Sequence, residues 1–281
     1  MALIKTLTSL RFLITIIGVY NVHNIEYTRP DDFKYIITPN ARSVYQEIVN
    51  RFLSGVHSFT IVGSYGTGKS SFLYELEKEL KGSNVKDRLV VNPEVFNNHR
   101  NFDFVNVVGE YAPLRNTLLS KLNNGGNQNA INALDEYYKN LSKHGKFLFI
   151  FIDEFGKALE HAVNNNVESE SFFLQQLAEY VNAPQRNIIL ISTLHQNFSA
   201  YASKLSDAQR DEWSKVKGRF CDIVFHEPIE QLLFLAAKDI NAKEKTICQN
   251  ISKLYNVAKK SNAILNISEQ DIQTLYPLDP F

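Results

Sequence analysis

Few sequence features restrict a fold as tightly as a glycine-rich turn set between an apolar strand and a helix. Residues Phe59 to Phe72, FTIVGSYGTGKSSF, contain such a turn. Gly63, Gly66, Gly68, Lys69 and Ser70 fit the spacing G-x-x-x-x-G-K-[ST] in its strand-then-helix context. Each residue type has a reason. Glycine opens backbone angles closed to other residues, so successive N–H groups along Gly63, Ser64, Tyr65, Gly66, Thr67 and Gly68 can turn inward around phosphate oxygens. The helix that follows, through Lys69, Ser70 and Ser71, adds unpaired N–H groups and its positive dipole end to the same anion. The spacing assigns Lys69 to the β- and γ-phosphates and the Ser70 hydroxyl to Mg²⁺. The competing reading, a glycine turn with a chance lysine, requires the flanking strand and helix to be coincidental as well.

The rest of the chain alternates strands with helices. A helical period opens at Pro39-Asn40 and leads into the strand Val56 to Val62; Phe72, Leu73, Leu76 and Leu80 continue the period after the loop until Gly82. A short strand is expected at Leu89 to Val91 and a longer one at Phe102 to Val108, FDFVNVV, followed by a helix with Pro113 as its first residue. A helix over Ala130 to His144 precedes Phe147 to Ile152, FLFIFI. That run is uninterrupted, as in a strand buried on both faces of a parallel sheet. Another helix reaches Pro184, then come an apolar strand at Ile188 to Ile191, a charged helix from Ser199 to about Val216, and a strand at Cys221 to Phe225. The expected fold class is α/β: a doubly wound, mostly parallel five-stranded sheet with helices on both faces, followed by a small helical lid. The expected division is an N-terminal segment over 1–37, a core over 38–228 and a lid over 229–281 that continues in a longer protein.

Two further stations carry chemistry. Asp153 and Glu154 stand at the carboxyl end of FLFIFI, where ligands sit in open α/β sheets. Asp153 suits a Mg²⁺ opposite Ser70, and Glu154 suits the polarisation of an attacking water. A solvated acidic turn is the plainer reading, and the upstream loop weighs against it. The strand Ile188 to Ile191 ends in Ser192-Thr193-Leu194-His195-Gln196-Asn197, a polar cluster at another carboxyl end, which a capped helix start would also explain.

With these stations in order, the chain resembles the AAA+ family of ATPases from about Thr38 to Asp239. The resemblance implies ATP and Mg²⁺ as cofactors and places a water-positioning residue, sensor 1, after the fourth strand, with Thr193 and His195 as candidates. Val216 to Pro228, VKGRFCDIVFHEP, resembles the family's Arg-Phe pair before the fifth strand, which would make Arg219 an arginine finger that completes a neighbouring subunit's site. A guanidinium there is worth about 10³ or more in rate, although an Arg beside a Phe can also be a surface cation over a ring. FTIVGSYGTGKSSF, ISTLHQNF and EWSKVKGRF are similar to large multidomain prokaryotic ATPases, including some of phage-defence systems. One departure is the lack of a convincing sensor 2 arginine after Pro228. The implied function is ATP hydrolysis that drives conformational work in an oligomer. The alternative is a slow nucleotide-dependent switch or scaffold of the signalling (STAND) type; the second acid, Glu154, leans away from it. A small-molecule phosphotransferase is disfavoured, because Ile229 to Phe281 contains no arginine for a closing lid.

Charge and cysteine content limit the partners. Lys plus Arg equals Asp plus Glu at 30 each, so nucleic acid is expected only through a partner or a local patch, and a homo-oligomer or larger complex is the expected assembly. The two cysteines, Cys221 and Cys248, form no C-x-x-C pair, and the histidines lack metal-ligand spacing. Phe12 to Tyr20, FLITIIGVY, follows Lys5 and Arg11 in the manner of a secretory signal. It falls far short of the roughly 20 residues of a membrane span and lacks a small-x-small cleavage site. It reads as a buried element, membrane association is not expected, and a cytoplasmic location is.

Overall fold

The computed structural model describes residues 24–26, 35–82, 87–98, 100–122, 129–226 and 256. The chain divides into two compact units, His23–His226 and a second that groups Met1–Val22 with Glu227–Phe281. The described residues belong to the first unit, Asn256 excepted. The apolar run at 12–20 and the expected lid at 229–281 lie outside the described residues, apart from a helical Asn256.

The unit begins with helix α1 (Pro39–Leu53), started by a Thr38 side chain that accepts from the Ala41 N–H, with proline in the first turn. Strand β1 (Ser58–Val62) follows, then α2 (Lys69–Leu80), β2 (Phe102–Val108), α3 (Leu114–Lys121) and α4 (Ala130–Lys143). Strand β3 (Phe147–Asp153) leads into α5 (Phe155–Asn165) and α6 (Val167–Val181); β4 (Ile188–Leu194), the short α7 (Phe198–Tyr201), α8 (Asp207–Lys217) and β5 (Cys221–Val224) complete it.

The five strands form one sheet in the order β2-β3-β4-β1-β5, and every pairing is parallel. Strand β4 therefore lies between β1, which feeds the glycine loop, and β3, which carries the acids. All seven residues of β3 are buried. Its side chains alternate between two cores: Leu148, Ile150 and Ile152 join one with α3 to α8, while Phe147, Phe149 and Phe151 join the other with α1 and α2. Fully burying each of these large side chains is worth about 2–3 kcal/mol, which fixes the register and so the height at which Asp153 emerges.

Three expectations are corrected. Leu89 and Val90 are buried but form no strand, because the Glu79 carboxylate accepts both N–H groups, at 2.9 and 2.8 Å, and replaces a ladder partner. The helix expected from Ser199 to Val216 is two: α7 runs into a 3-10 turn at Ala202–Lys204, and α8 restarts on a capping box between Ser206 and Gln209. Pro113 caps α3 from outside rather than opening it.

Candidate functional site

The glycine loop has the backbone its sequence calls for. Gly68, the N-cap of α2, has φ +93°, a left-handed angle that glycine adopts without steric cost, and no side chain caps the helix start. The first N–H groups of α2 are therefore placed to meet an anion. Gly63 is required by close approach: a Cβ there would stand 2.2 Å from the Phe225 carbonyl oxygen. The Gly63 N–H donates to the Leu194 carbonyl at 3.0 Å, which ties the loop to the end of β4. Inside the loop the Thr67 hydroxyl donates to the Ser64 carbonyl at 2.9 Å. Ser71 is buried in the first turn of α2, and Gly66 has φ +79°.

Lys69 is folded back on this loop, where its Nζ donates to the carbonyls of Gly63, at 2.6 Å, and Ser64, at 2.8 Å. Burial lowers its pKa to about 8, against the opposing pull of Asp153. The ammonium thus rests on acceptors that a phosphate could replace.

Asp153 is the hub. It is 1% exposed, and its Oδ1 accepts from the Ser70 hydroxyl at 3.0 Å, the Thr193 hydroxyl at 2.6 Å and the Glu154 N–H at 3.1 Å. One carboxylate oxygen thus joins α2, β4 and the end of β3. Hard oxygen donors of this kind, a hydroxyl and a carboxylate within hydrogen-bonding distance, fit Mg²⁺.

Glu154 has left the strand. Its φ of +54° is left-handed, and its N–H is held by both Asp153 and the Thr193 hydroxyl, the latter at 3.0 Å. Two adjacent acids can address one site because this turn breaks their alternation. The Glu154 carboxylate is paired with Lys157 of α5, whose pKa is raised chiefly by that hydrogen bond.

The two sensor candidates occupy different surroundings. Thr193 lies within β4, 3% exposed, bonded to both acids as described. His195 lies just past the strand and stacks on loop residue Tyr65, with ring centroids 4.4 Å apart and planes at 21°. The Tyr201 ring meets His195 edge-on at 5.8 Å. Burial keeps the imidazole pKa below its usual value, with the Lys69 cation adding to the effect and Glu160 and Glu154 opposing it.

Arg219 stands apart. It precedes β5, its carbonyl accepts from the hydroxyl of Ser58, the first residue of β1, and its guanidinium is held by Glu179 and by the Lys215 carbonyl. Since β5 runs parallel to β1, Arg219 lies at the opposite end of the sheet from Lys69 of the same chain. The structure thus gathers the loop, Asp153, Glu154, Thr193 and His195, and leaves Arg219 outside.

No family model matches the chain, and no curated protein does. Among solved structures, the ORC2 protein of Aeropyrum pernix, in ADPNP and ADP complexes, is similar with a TM-score of 0.50 at 14% identity, over 89% of this chain and 70% of that one. This chain shares the fold of that protein. Two further likenesses are weaker. CDC6P of Pyrobaculum aerophilum has a TM-score of 0.43 at 17% identity, over 75% of this chain and 51% of that one. A Walker-type ATPase of Pyrococcus abyssi has 0.40 at 13%, over 91% and 65%.

Sequence reasoning missed three neighbours of the site. Lys157 had a signal, a cation three residues after Glu154 at a helix start. Tyr201 fell inside the helix expected from Ser199 and gave no signal, and neither did Ile25.

Proposed function

We propose that this chain binds ATP with Mg²⁺ and hydrolyses it. The observation that carries the reading is the shared Asp153 oxygen, which brings the Ser70 hydroxyl of the phosphate loop, the Thr193 hydroxyl and the Glu154 backbone to one point. The loop N–H groups and the start of α2 bind the phosphates, and Lys69 exchanges two backbone carbonyls for phosphate oxygens. Ser70 and Asp153 would hold the metal, which when bound neutralises charge on the phosphates. Glu154, on leaving Lys157, polarises water, and the Glu154 N–H contact to Thr193 fixes where that acid starts. His195, kept neutral by burial, can donate to a phosphate from the Tyr65 side.

The assembly we infer is an oligomer in which Arg219 serves a neighbour's site, since it lies remote from its own. A cytoplasmic setting follows from the need for nucleotide, and no helix among the described residues is long and apolar enough to cross a membrane. The pairing of Glu154 with Lys157 favours a second reading, a slow nucleotide-dependent switch, because it holds the base away from work in the resting state.

Steady-state assays decide. Glu154→Gln is expected to bind ATP as the wild type does while turnover falls by about 10² or more, the usual contribution of a general base. Wild-type turnover in that variant would overturn the assignment; single-turnover rates that match slow steady-state rates would select the switch.

A further inference from the structure

A short segment far away in sequence reaches the same acid. The Ile25 N–H donates to Asp153 Oδ2 at 2.9 Å, in a buried contact across 128 positions. The Ile25 side chain is 4% exposed and belongs to the core shared by α1, α2 and the phenylalanines of β3. On either side of it the Asn24 carboxamide oxygen accepts from the Glu26 N–H at 3.1 Å, and the Glu26 carboxylate is paired with Lys121 at the end of α3.

With this contact Asp153 accepts four donors: Ser70, Thr193 and the Glu154 N–H on Oδ1, and Ile25 on Oδ2. A carboxylate has about four lone-pair positions. Three donors already crowd the two positions of Oδ1, so a metal that uses this carboxylate, directly or through a bound water that donates to it, is left Oδ2, and there it meets the Ile25 N–H. Three of the donors are fixed by regular elements: Ser70 lies in α2, Thr193 in β4, and Glu154 is the single residue between β3 and α5. The fourth sits on the segment Asn24–Glu26, held by one buried side chain and an ion pair between half-exposed partners, a kind that contributes little. Among the described residues, Ile25 is the donor with the least to hold it.

We propose that Asn24–Glu26 is a strap that competes with Mg²⁺ for Asp153: the Ile25 N–H satisfies the buried carboxylate while no metal is present and withdraws when metal-bound nucleotide enters. An unpaired buried carboxylate oxygen is costly, so the strap, by pairing Oδ2, stabilises the resting site and raises the metal concentration needed to fill it. This inference rests on the nucleotide reading above and adds to it a segment that regulates metal entry.

The test uses the full chain and the non-hydrolysable analogue ADPNP. Residue-resolved amide exchange is followed in three buffers: without nucleotide, with ADPNP and a chelator, and with ADPNP and Mg²⁺. The Ile25 amide is expected to be protected in the first two and to exchange faster in the third. Ile25→Pro, which removes both the donor and the buried side chain, is expected to lower the half-saturating Mg²⁺ concentration roughly tenfold, the equivalent of one hydrogen bond to a charged group, with metal-free ADPNP affinity unchanged. Ile25→Ala, which loosens the anchor but keeps the N–H, should shift it in the same direction by less. An Ile25 amide equally protected with and without Mg²⁺ in a chain that does bind ADPNP overturns the strap alone, and so does an unmoved Mg²⁺ requirement in both variants. A chain that binds ADPNP in neither buffer overturns the nucleotide reading and the strap with it.

Discussion

The Ser70 hydroxyl donates to Asp153 Oδ1 across 3.0 Å, joining the phosphate loop to an acid 83 positions away. Three donors converge on that one oxygen and the Ile25 N–H donates to the other, so an amide in place of the carboxylate has no good orientation: its NH₂ meets a donor whichever way it turns. Asp153→Asn is expected to destabilise the nucleotide-free chain by about 1–3 kcal/mol, the cost of leaving buried groups unpaired. Ser70→Ala, which removes one donor of several, should cost less than about 1 kcal/mol. Urea unfolding of the two variants checks the order, and equal stability would mean that the hub is not a structural network.

Lys69 makes nucleotide binding pH-dependent. Its pKa of about 8, depressed by burial, lies below the usual lysine range. Phosphate should raise that value again, because it places negative charge beside the ammonium. Between about pH 8 and the usual lysine pKa near 10.4 the free chain therefore carries fewer protons than the complex, so ATP binding takes up protons and affinity falls as pH rises through 8. Below pH 8 the lysine is charged in both states and its share of the dependence vanishes. Calorimetry at pH 8.5 in two buffers of different ionisation enthalpy should show net proton uptake, and Lys69→Met should abolish it together with most of the binding.

Much of this site was legible in the sequence, for identifiable reasons. The loop is contiguous, and its glycines report backbone angles directly, as Gly68 at φ +93° shows. The height of Asp153 in the sheet followed from the unbroken apolar run of β3, since only burial on both faces produces one. What stayed hidden depends on contacts between distant positions. The Glu79 carboxylate takes the place of a strand at Leu89 and Val90, and nothing local announces that substitution. The break before Ser206 was written as a Ser-x-x-Gln capping box, but the charged pattern runs through it and masks it. Ile25 meets Asp153 through a backbone N–H, which every residue except proline possesses.

Thr193 and His195 should separate by assay. Thr193 is buried and engaged with both acids, so Thr193→Ala removes a support of Asp153 and Glu154. It is expected to lower Mg²⁺-dependent ATP affinity and stability together, the latter by about 1 kcal/mol. His195 stacks on Tyr65 of the loop, and His195→Ala should leave stability within about 0.5 kcal/mol and ADP affinity unchanged while slowing hydrolysis. If His195→Ala weakens ADP and ATP equally, the ring serves the loop and does not read the terminal phosphate.

Lys157 occupies the first turn of α5, where the helix dipole disfavours a cation. Its pairing with Glu154 is what recommends the position. Lys157→Met is expected to change stability by less than about 0.5 kcal/mol, as for an exposed pair, while releasing the base and raising steady-state turnover severalfold at unchanged ATP affinity. A fall in turnover would instead make Lys157 a cation that serves the phosphates.

Arg219 supports the oligomeric reading by where it is not. Its carbonyl anchors the start of β1, while Lys69 follows the end of that strand, so no rotation of its side chain brings it to its own phosphate loop. Its guanidinium is paired with Glu179, whose side chain is 52% exposed; a partner so exposed is worth at most about 1 kcal/mol and could be exchanged for a phosphate of an adjacent chain. Arg219→Ala should therefore fold with near wild-type stability yet lose turnover by about 10³. Mixed with Lys69→Met, which lacks its own phosphate contact but keeps the finger, it should recover activity, because heterologous pairs contain one site with both parts. The recovered rate should also rise with total protein concentration, as assembly requires. Failure of the mixture to recover, in a preparation whose turnover per chain is independent of concentration, would leave Arg219 as a clamp between β1 and α6 and nothing more.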